Sequence, residues 1–369
     1  MLAHIIVDDK FIDSGLNQFE IAAPNQNIPI FIGKKCDLNY VRNKDVLFMD
    51  NAQIQKFVRS DKCSAIIFHS LPNIFLPIIK YAPNHIKKIW LGWGYDYYNR
   101  LLSSAFPDGF YLDGTKSLMV KKIIQRFAHR TKLSIKNLLK NDNNLLSQID
   151  YFIPVIDLEY KLVAELNPWF KAKYICWNYG SAEENLLSDN KYDDIGDDIL
   201  VGNSASATNN HLDTFILLKN NFDIENRKII VPLSYGDTWY RDQIIKNGRR
   251  MFGDKFVPIV NFLPKNEYID LLNRCGYVFM NHLRQQALGN ICIMMLKGAR
   301  IYLNSVNPLY RWFIDREGIV NNIYDDNIME PLNAIQRKNN IDIVMNFCSM
   351  KVQRAKTRHL VDIAFGKEI

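Results

Sequence analysis

Three polar runs each follow an apolar, β-branched run directly. The first is Gly202-Asn203-Ser204-Ala205-Ser206-Ala207-Thr208-Asn209-Asn210-His211, the second Ser234-Tyr235-Gly236, and the third Asn281-His282-Leu283-Arg284-Gln285-Gln286. In open parallel sheets, ligands bind beyond the carboxyl ends of the strands, so these are the places to look for chemistry. Small residues such as Gly202, Ser204 and Ala205 let a ligand approach the backbone. Exposed N–H groups at a helix N-terminus, with the positive end of the dipole, hold an anion without a metal. Arg284 adds a cation able to contact two phosphate oxygens and to stabilise charge on a departing diphosphate. Asn203, Ser204, Asn209, Asn210, His211, Ser234, Tyr235, Arg284, Gln285 and Gln286 thus form a candidate diphosphate site. Thr208–Asn210 would equally serve as a helix cap with no ligand. Arg284-Gln285-Gln286, three long polar side chains opening an apolar helix, asks for another reason.

The first half has its own collection. The run 65–68 ends in His69-Ser70, and the run 88–93 ends in Gly94-Tyr95-Asp96-Tyr97-Tyr98. One expected helix, about 74–81, separates them, and a right-handed crossover of that length makes the strands neighbours. His69 and Asp96 would then leave adjacent strand ends, where either could take a proton from an attacking hydroxyl. Trp93, Tyr95, Tyr97 and Tyr98 are suited to stacking on sugar rings. The plainer alternatives are a buried hydrogen-bonding histidine, an aromatic turn that belongs to the core, and an aspartate that orients a tyrosine or caps a turn.

Positioning these groups requires strands, and the apolar pattern supplies them near 3–7, 28–32, 65–68, 88–93, 151–155 and 173–177, then near 199–201, 228–232, 256–260, 277–280 and 300–303. Helix-patterned stretches alternate with them, the signature of an α/β fold with parallel sheets. An acidic, apolar-poor stretch at 181–198 reads as a linker. The expected organisation is an N-terminal Rossmann-like domain at 1–180, that linker, a second Rossmann-like domain at 199–340, and a terminal helix within 341–369 that crosses back to the first domain. The two domains would face an interdomain cleft. The chain has 369 residues, 48% hydrophobic and 23% charged, which fits a globular protein and excludes a disordered or fibrous one. Its six cysteines form no CxxC pair and have no histidine at ligand spacing, so no zinc site or disulfide framework is expected.

The net charge of +7 is concentrated. Residues 116–140 hold eight basic side chains and no acidic one, leaving the rest of the chain close to neutral. Apolar residues recur there at roughly helical spacing between the lysines and arginines. Such a helix suits an anionic membrane surface, with Lys121, Lys122, Arg126 and Arg130 as candidate contacts. It could also be a surface helix packed on its own domain. No nucleic-acid-binding module is present to make the basic residues a nucleic-acid site. Met1–Gly15 lacks a basic leader region and does not read as a signal peptide, and the most apolar run, 66–79, is too short and interrupted to span a bilayer. Asp8-Asp9 and Asp197-Asp198 lack the pattern of a metal-holding acidic triplet, and no Walker A, GxGxxG or GxSxG motif occurs.

Taken together, Trp90-Leu91-Gly92-Trp93-Gly94-Tyr95-Asp96-Tyr97-Tyr98, Val201-Gly202-Asn203-Ser204 through Asn209-Asn210-His211, Pro232-Leu233-Ser234-Tyr235-Gly236 and Arg284-Gln285-Gln286-Ala287-Leu288-Gly289 resemble glycosyltransferase family 56. That family carries the labels TDP-N-acetylfucosamine:lipid II N-acetylfucosaminyltransferase and 4-alpha-L-fucosyltransferase. The resemblance implies a GT-B enzyme, peripheral on the inner face of the bacterial inner membrane and working without a metal or other cofactor. It would move a deoxyamino or deoxy hexose from a nucleotide-diphosphate sugar, dTDP-linked, to an undecaprenyl-diphosphate-linked glycan of O-antigen or enterobacterial common antigen synthesis. GDP-fucose is the alternative donor. The nucleotide base would lie against 261–264. An epimerase or hydrolase on the same fold, or a carbohydrate-binding protein using the aromatic turn, are the rival classes.

Overall fold

The computed structural model describes residues 1–127, 142–186, 195–325 and 327–367. Among these, a first parallel sheet contains β1 (Leu2–Ile6), β2 (Asn27–Ile32), β3 (Leu47–Met49), β4 (Ala65–His69), β5 (Lys87–Leu91), β6 (Tyr151–Ile153) and β7 (Lys173–Tyr174), in the order β3-β2-β1-β4-β5-β6-β7. A second contains β8 (Asp198–Val201), β9 (Ile229–Pro232), β10 (Phe256–Ile259), β11 (Cys275–Met280), β12 (Arg300–Leu303) and β13 (Asn321–Asn322), in the order β10-β9-β8-β11-β12-β13. Every expected strand is present, and β4 and β5 pair in parallel as the crossover predicts. The expectation missed β3 and β13. Both are sheet-edge strands of two or three residues, and Asn321-Asn322 carries no apolar signal at all.

The strand order reverses between β1 and β4 in one sheet and between β8 and β11 in the other. β1, β4 and β11 are buried along their whole length, which is why they read as unbroken apolar runs. The chain divides into two compact units, one drawn from Met1–Pro107, Asn137–Glu184 and Cys348–Ile369, the other from Asp108–Lys136 and Asn185–Phe347. In the first, Phe19, Ile67, Ile89 and Trp177 pack with Leu360 and Val361 of the terminal helix. Trp177 Nε1 also donates to Thr357 Oγ1 at 2.9 Å. In the second, Phe279 and Tyr302 stack at 4.3 Å between ring centres, within a core that includes Val201, Phe215 and Val231.

Three local findings differ from the expectations. The terminal segment is two helices, Ala334–Cys348 and Met350–Ala364, separated by Ser349 in extended conformation. The stretch read as a linker contains a helix, Ala182–Leu186, opened by Ser181 Oγ, which accepts from Glu184 N at 3.2 Å. The helix Asp113–Phe127 joins the second unit: Asp213 accepts from Gly114 N at 2.7 Å and from Thr115 N at 3.0 Å, capping its first turn from another helix.

That attachment corrects part of the membrane expectation. Leu118 is buried in the core of the second unit. Lys122 is 6% exposed, pairs with Asp237 Oδ2 at 2.5 Å and lies over the Trp239 ring, so it cannot meet a lipid surface. Lys121 and Val120 face outward. The Arg126 side chain and all of Arg130 lie outside the described residues. Among the described residues, no helix is long and apolar enough to cross a membrane.

Candidate functional site

The second unit gathers its polar runs at the β8–β11 reversal. The chain leaves β8 through Gly202 at φ +67°, where a Cβ would come within 2.6 Å of both Asn209 Oδ1 and His211 Nε2, so a glycine is required. Asn209 then organises the loop. Its Oδ1 accepts from Asn203 N at 2.8 Å and faces His282 Nε2 at 2.9 Å, while its Nδ2 donates to Ser204 Oγ at 3.2 Å and Ser206 O at 3.1 Å. Because Nδ2 is the donor, Oδ1 must accept, and His282 Nε2 carries the proton. The loop after β9 is stitched on through Ala205 N to Tyr235 O at 2.7 Å and Asp237 N to Ala205 O at 3.0 Å. Gly236, at φ +118°, permits this approach, since a Cβ there would lie 2.7 Å from the Ala205 carbonyl.

A polar surface results. Gln286 Nε2 donates to Asn203 Oδ1 at 3.0 Å, Thr208 Oγ1 donates to Gln286 Oε1 at 2.7 Å, and Asn203 Nδ2 donates to the Tyr235 hydroxyl at 3.0 Å. Arg284 is partly exposed, with Nη1 donating to Gln285 O at 2.9 Å. Ala287 closes the loop at φ +64°, strained for an L-residue, and caps the helix Leu288–Leu296. Asn203, Tyr235, Arg284 and Gln286 therefore gather near a helix N-terminus with accessible side chains, and Ser234, half-buried next to Tyr235 in the chain, makes no bond to them.

Five expected contacts are corrected by burial. Ser204, Asn209, Asn210, His211 and Gln285 are at most 4% exposed, so their side chains brace the loop and do not present to a ligand. Asn210 donates to Asn281 O at 2.9 Å and accepts from Leu112 N at 3.0 Å. Burial pulls His211 down to about 3, and burial, with Arg284 and His211 nearby, pulls His282 well below the usual histidine value; both are neutral.

The first unit has a matching reversal at β1–β4, and there the structure overturns both expected bases. Asp96 is buried, and its carboxylate accepts from Leu71 N at 2.9 Å, Trp90 Nε1 at 2.7 Å and Trp93 N at 2.9 Å. It fastens the turn and has no oxygen to offer a substrate. His69 is fully buried, with Nε2 on His4 Nδ1 at 2.9 Å and Nδ1 on the Tyr179 hydroxyl at 2.7 Å. The protons along this chain are fixed by its far end. Asn27 Nδ2 donates to Glu20 and to Ala23 O, so Asn27 Oδ1 accepts from His4 Nε2 at 3.1 Å. His4 Nδ1 must then accept from His69 Nε2–H, and His69 Nδ1 accepts from Tyr179. Burial pulls His4 down to about 4 and His69 well below its ordinary value, so neither ring takes up a proton near neutrality.

Tyr97 and Tyr98 are corrected as well. They are 0% and 1% exposed, stacked on one another at 5.3 Å, with Tyr97 edge-on to Trp90 and Phe152. They are core. Trp93 and Tyr95 remain accessible: Tyr95 is 49% exposed, and its hydroxyl donates to Ser70 Oγ at 2.8 Å. Ser70, at φ +69°, is a second strained residue at a strand end. Sequence reasoning missed Phe11 and Tyr179, whose rings lie 5.9 Å and 5.4 Å from Trp93. Neither carries a sequence signal, since a lone phenylalanine and a lone tyrosine show no periodicity that marks them as neighbours of Trp93. Among the described residues, no group of three or more His, Cys, Asp and Glu side chains is placed to hold a metal ion.

Two parallel Rossmann-like sheets, each with polar groups at its reversal point, define an α/β fold of GT-B type. Solved structures agree across the whole chain. A glycosyltransferase from Rickettsia africae ESF-5 aligns with a TM-score of 0.63 at 10% identity, covering 100% of this chain and 99% of that one. HepE of Anabaena, solved with UDP and glucose, gives 0.61 at 9% identity, covering 100% and 99%. The UDP-forming alpha,alpha-trehalose-phosphate synthase of Burkholderia vietnamiensis gives 0.60 at 9%, covering 100% and 98%. Residues 33–345 match the family described as 4-alpha-L-fucosyltransferase, glycosyl transferase group 56, and the chain belongs to that family. The protein is a glycosyltransferase.

Proposed function

We propose that the protein transfers a 6-deoxyhexose of the 4-amino-4,6-dideoxy type from a dTDP-sugar to an undecaprenyl-diphosphate-linked glycan at the inner face of the bacterial inner membrane, in O-antigen or enterobacterial common antigen synthesis. The observation that carries the donor half of this reading is the surface of Asn203, Tyr235, Arg284 and Gln286 around the N-terminus of Leu288–Leu296. The diphosphate lies against those backbone N–H groups, and Arg284 balances the charge that grows as the nucleotide departs and the sugar becomes oxocarbenium-like. Structural neighbours solved with UDP, HepE and an alpha-glucosyltransferase, support a nucleoside-diphosphate donor. The donor is held without a metal, by helix dipole and guanidinium. The family's description as a fucosyltransferase favours GDP-fucose as the second reading.

The test is transfer itself. Purified protein is given dTDP-4-acetamido-4,6-dideoxygalactose, GDP-fucose or UDP-glucose together with an undecaprenyl-diphosphate-linked N-acetylglucosamine disaccharide. Product from the dTDP-sugar, unaffected by EDTA, supports the proposal. Product from GDP-fucose alone moves the donor, and loss of product with EDTA removes the metal-free site.

A further inference from the structure

With Asp96 and His69 committed to the fold, the proton of an attacking hydroxyl has no acceptor among the residues the sequence singled out. The loop after β1 supplies one. Three nearby carboxylates tie distant segments together: Asp8 accepts from Asn39 N at 2.7 Å, Tyr40 N at 2.9 Å and Val41 N at 3.2 Å, Asp13 from Arg42 N at 2.7 Å and Asn43 N at 3.2 Å, and Asp96 from two backbone N–H groups and the Trp90 indole, as described. Asp9 differs. Its Oδ1 accepts from Phe11 N at 3.1 Å, and the other backbone N–H near its carboxylate is that of Lys10, so among the described residues it is held only within its own loop and ties down no distant segment. It is half-buried at the carboxyl end of the central strand β1, beside β4, where the strand order reverses. Exposed aromatic rings stand next to it. Phe11, 45% exposed, follows two residues later and meets Trp93 edge-on, and Trp93 in turn meets Tyr95.

We propose that Asp9 is a catalytic residue, the proton acceptor for the attacking hydroxyl of the acceptor sugar, in a subsite walled by Phe11, Trp93 and Tyr95; this rests on the glycosyl-transfer reading above. In the step, the hydroxyl oxygen bonds to the anomeric carbon as its proton passes to Asp9 Oδ2. The anomeric carbon–oxygen bond to the diphosphate breaks, and its electron pair leaves with the nucleoside diphosphate. Attack and departure on opposite faces invert the anomeric centre.

The electrostatics are compatible with a base, although burial raises the Asp96 carboxyl in the same direction, so it is the placement of Asp9 that distinguishes it. Burial raises the Asp9 carboxyl above the ordinary value and the neighbouring Asp8 charge adds to this, against the Phe11 N–H and the Lys10 ammonium, which pull it down. Asp8, held by three backbone donors, goes the other way. The phenols facing Asp9 stay neutral: burial lifts Tyr95 to about 12 and Tyr179 well above its usual value. The His69 ring behind Tyr179 is neutral, and the fixed proton order of that chain gives it no charge to place beside Asp9.

The test compares wild type, Asp9→Asn and Asp8→Asn in the transfer assay above, with nucleotide affinity by calorimetry and thermal melting alongside. An asparagine still accepts from Phe11 N, so Asp9→Asn is expected to melt and bind nucleotide as wild type while kcat falls by about 10²–10⁴. The acid limb of kcat/KM should disappear with it. Asp8→Asn is expected to melt earlier and retain the rate. Should Asp9→Asn not fold, Asp9→Ser keeps a hydroxyl acceptor for Phe11 N and carries the same expectation. Asp9→Asn or Asp9→Ser turning over within threefold of wild type, or a product with retained anomeric configuration, overturns the assignment and leaves the transfer reading standing. A wild-type enzyme inactive with dTDP-, GDP- and UDP-sugars overturns the reading, and the role of Asp9 with it.

Discussion

Asn209 and His282 are joined at 2.9 Å, and this bond ties the loop leaving β8 to the loop leaving β11. Neither residue reaches the surface. Asn209 spends all its hydrogen-bonding capacity inside the protein, and what it holds in place is the backbone of Asn203 and, through it, Gln286. The candidate donor site is thus a thin accessible layer supported by a buried amide network.

Asn209→Ala should damage that layer from beneath. It leaves Asn203 N and the His282 ring without acceptors, at a cost of about 1–3 kcal/mol for each unsatisfied group. Urea denaturation should show the lost stability and calorimetry a weakened nucleotide affinity. An unchanged midpoint would remove Asn209 from its supporting role.

Arg284→Ala acts at the layer itself. Removing a cation that stabilises developing charge costs about 10²–10³ in kcat, with the melting temperature kept. Near-normal turnover would take Arg284 out of the mechanism.

How far the sequence could carry these assignments depends on the range of the physics. Strand positions were legible because β1, β4, β8 and β11 are buried and read as apolar runs, whereas β3 and β13 are edge strands of three and two residues, too short to stand out, and β13 carries no apolar residue. The polar residues beyond β8 and β11 were legible as a group, but their division into accessible and buried was not. Asn203 and Asn209 have the same side chain, and only the fold decides that one faces solvent and the other faces His282. The turn around Asp96 was misread for the same reason: its three donors come from Leu71, Trp90 and Trp93, on two different strand ends. Asp8 and Asp9 are alike as a pair in the sequence, and only tertiary contacts separate them: Asp8 accepts from the segment 39–41, and Asp9 does not.

Acid should destabilise the protein through its buried histidines. His4 and His211 are held down to about 4 and about 3, and His69 and His282 lie well below their ordinary value of 6.5. In the unfolded chain each takes up a proton near 6.5, so the unfolded state binds more protons below that pH. The stability of the neutral rings is fully present above about 6.5 and is lost as pH falls, by about 1.4 kcal/mol per histidine per pH unit. Urea midpoints at pH 7.5 and pH 5.5 should differ strongly; equal midpoints would contradict buried neutral rings.

Lysines 121 and 122 should separate a surface role from a structural one. Lys122→Glu sets two carboxylates against each other at Asp237 and should lower the melting temperature, while Lys121→Glu should leave it unchanged and weaken binding to vesicles of anionic lipid. Vesicle binding unaffected by Lys121→Glu would remove that lysine from any lipid contact.

Calorimetric titration with dTDP, GDP and UDP, with and without EDTA, tests the central claim most directly, using wild type and Arg284→Ala side by side. The account predicts selective dTDP binding that survives EDTA and weakens in the variant. Binding of none of the three, or binding indifferent to Arg284, would contradict the placement of the donor diphosphate at the β8–β11 reversal.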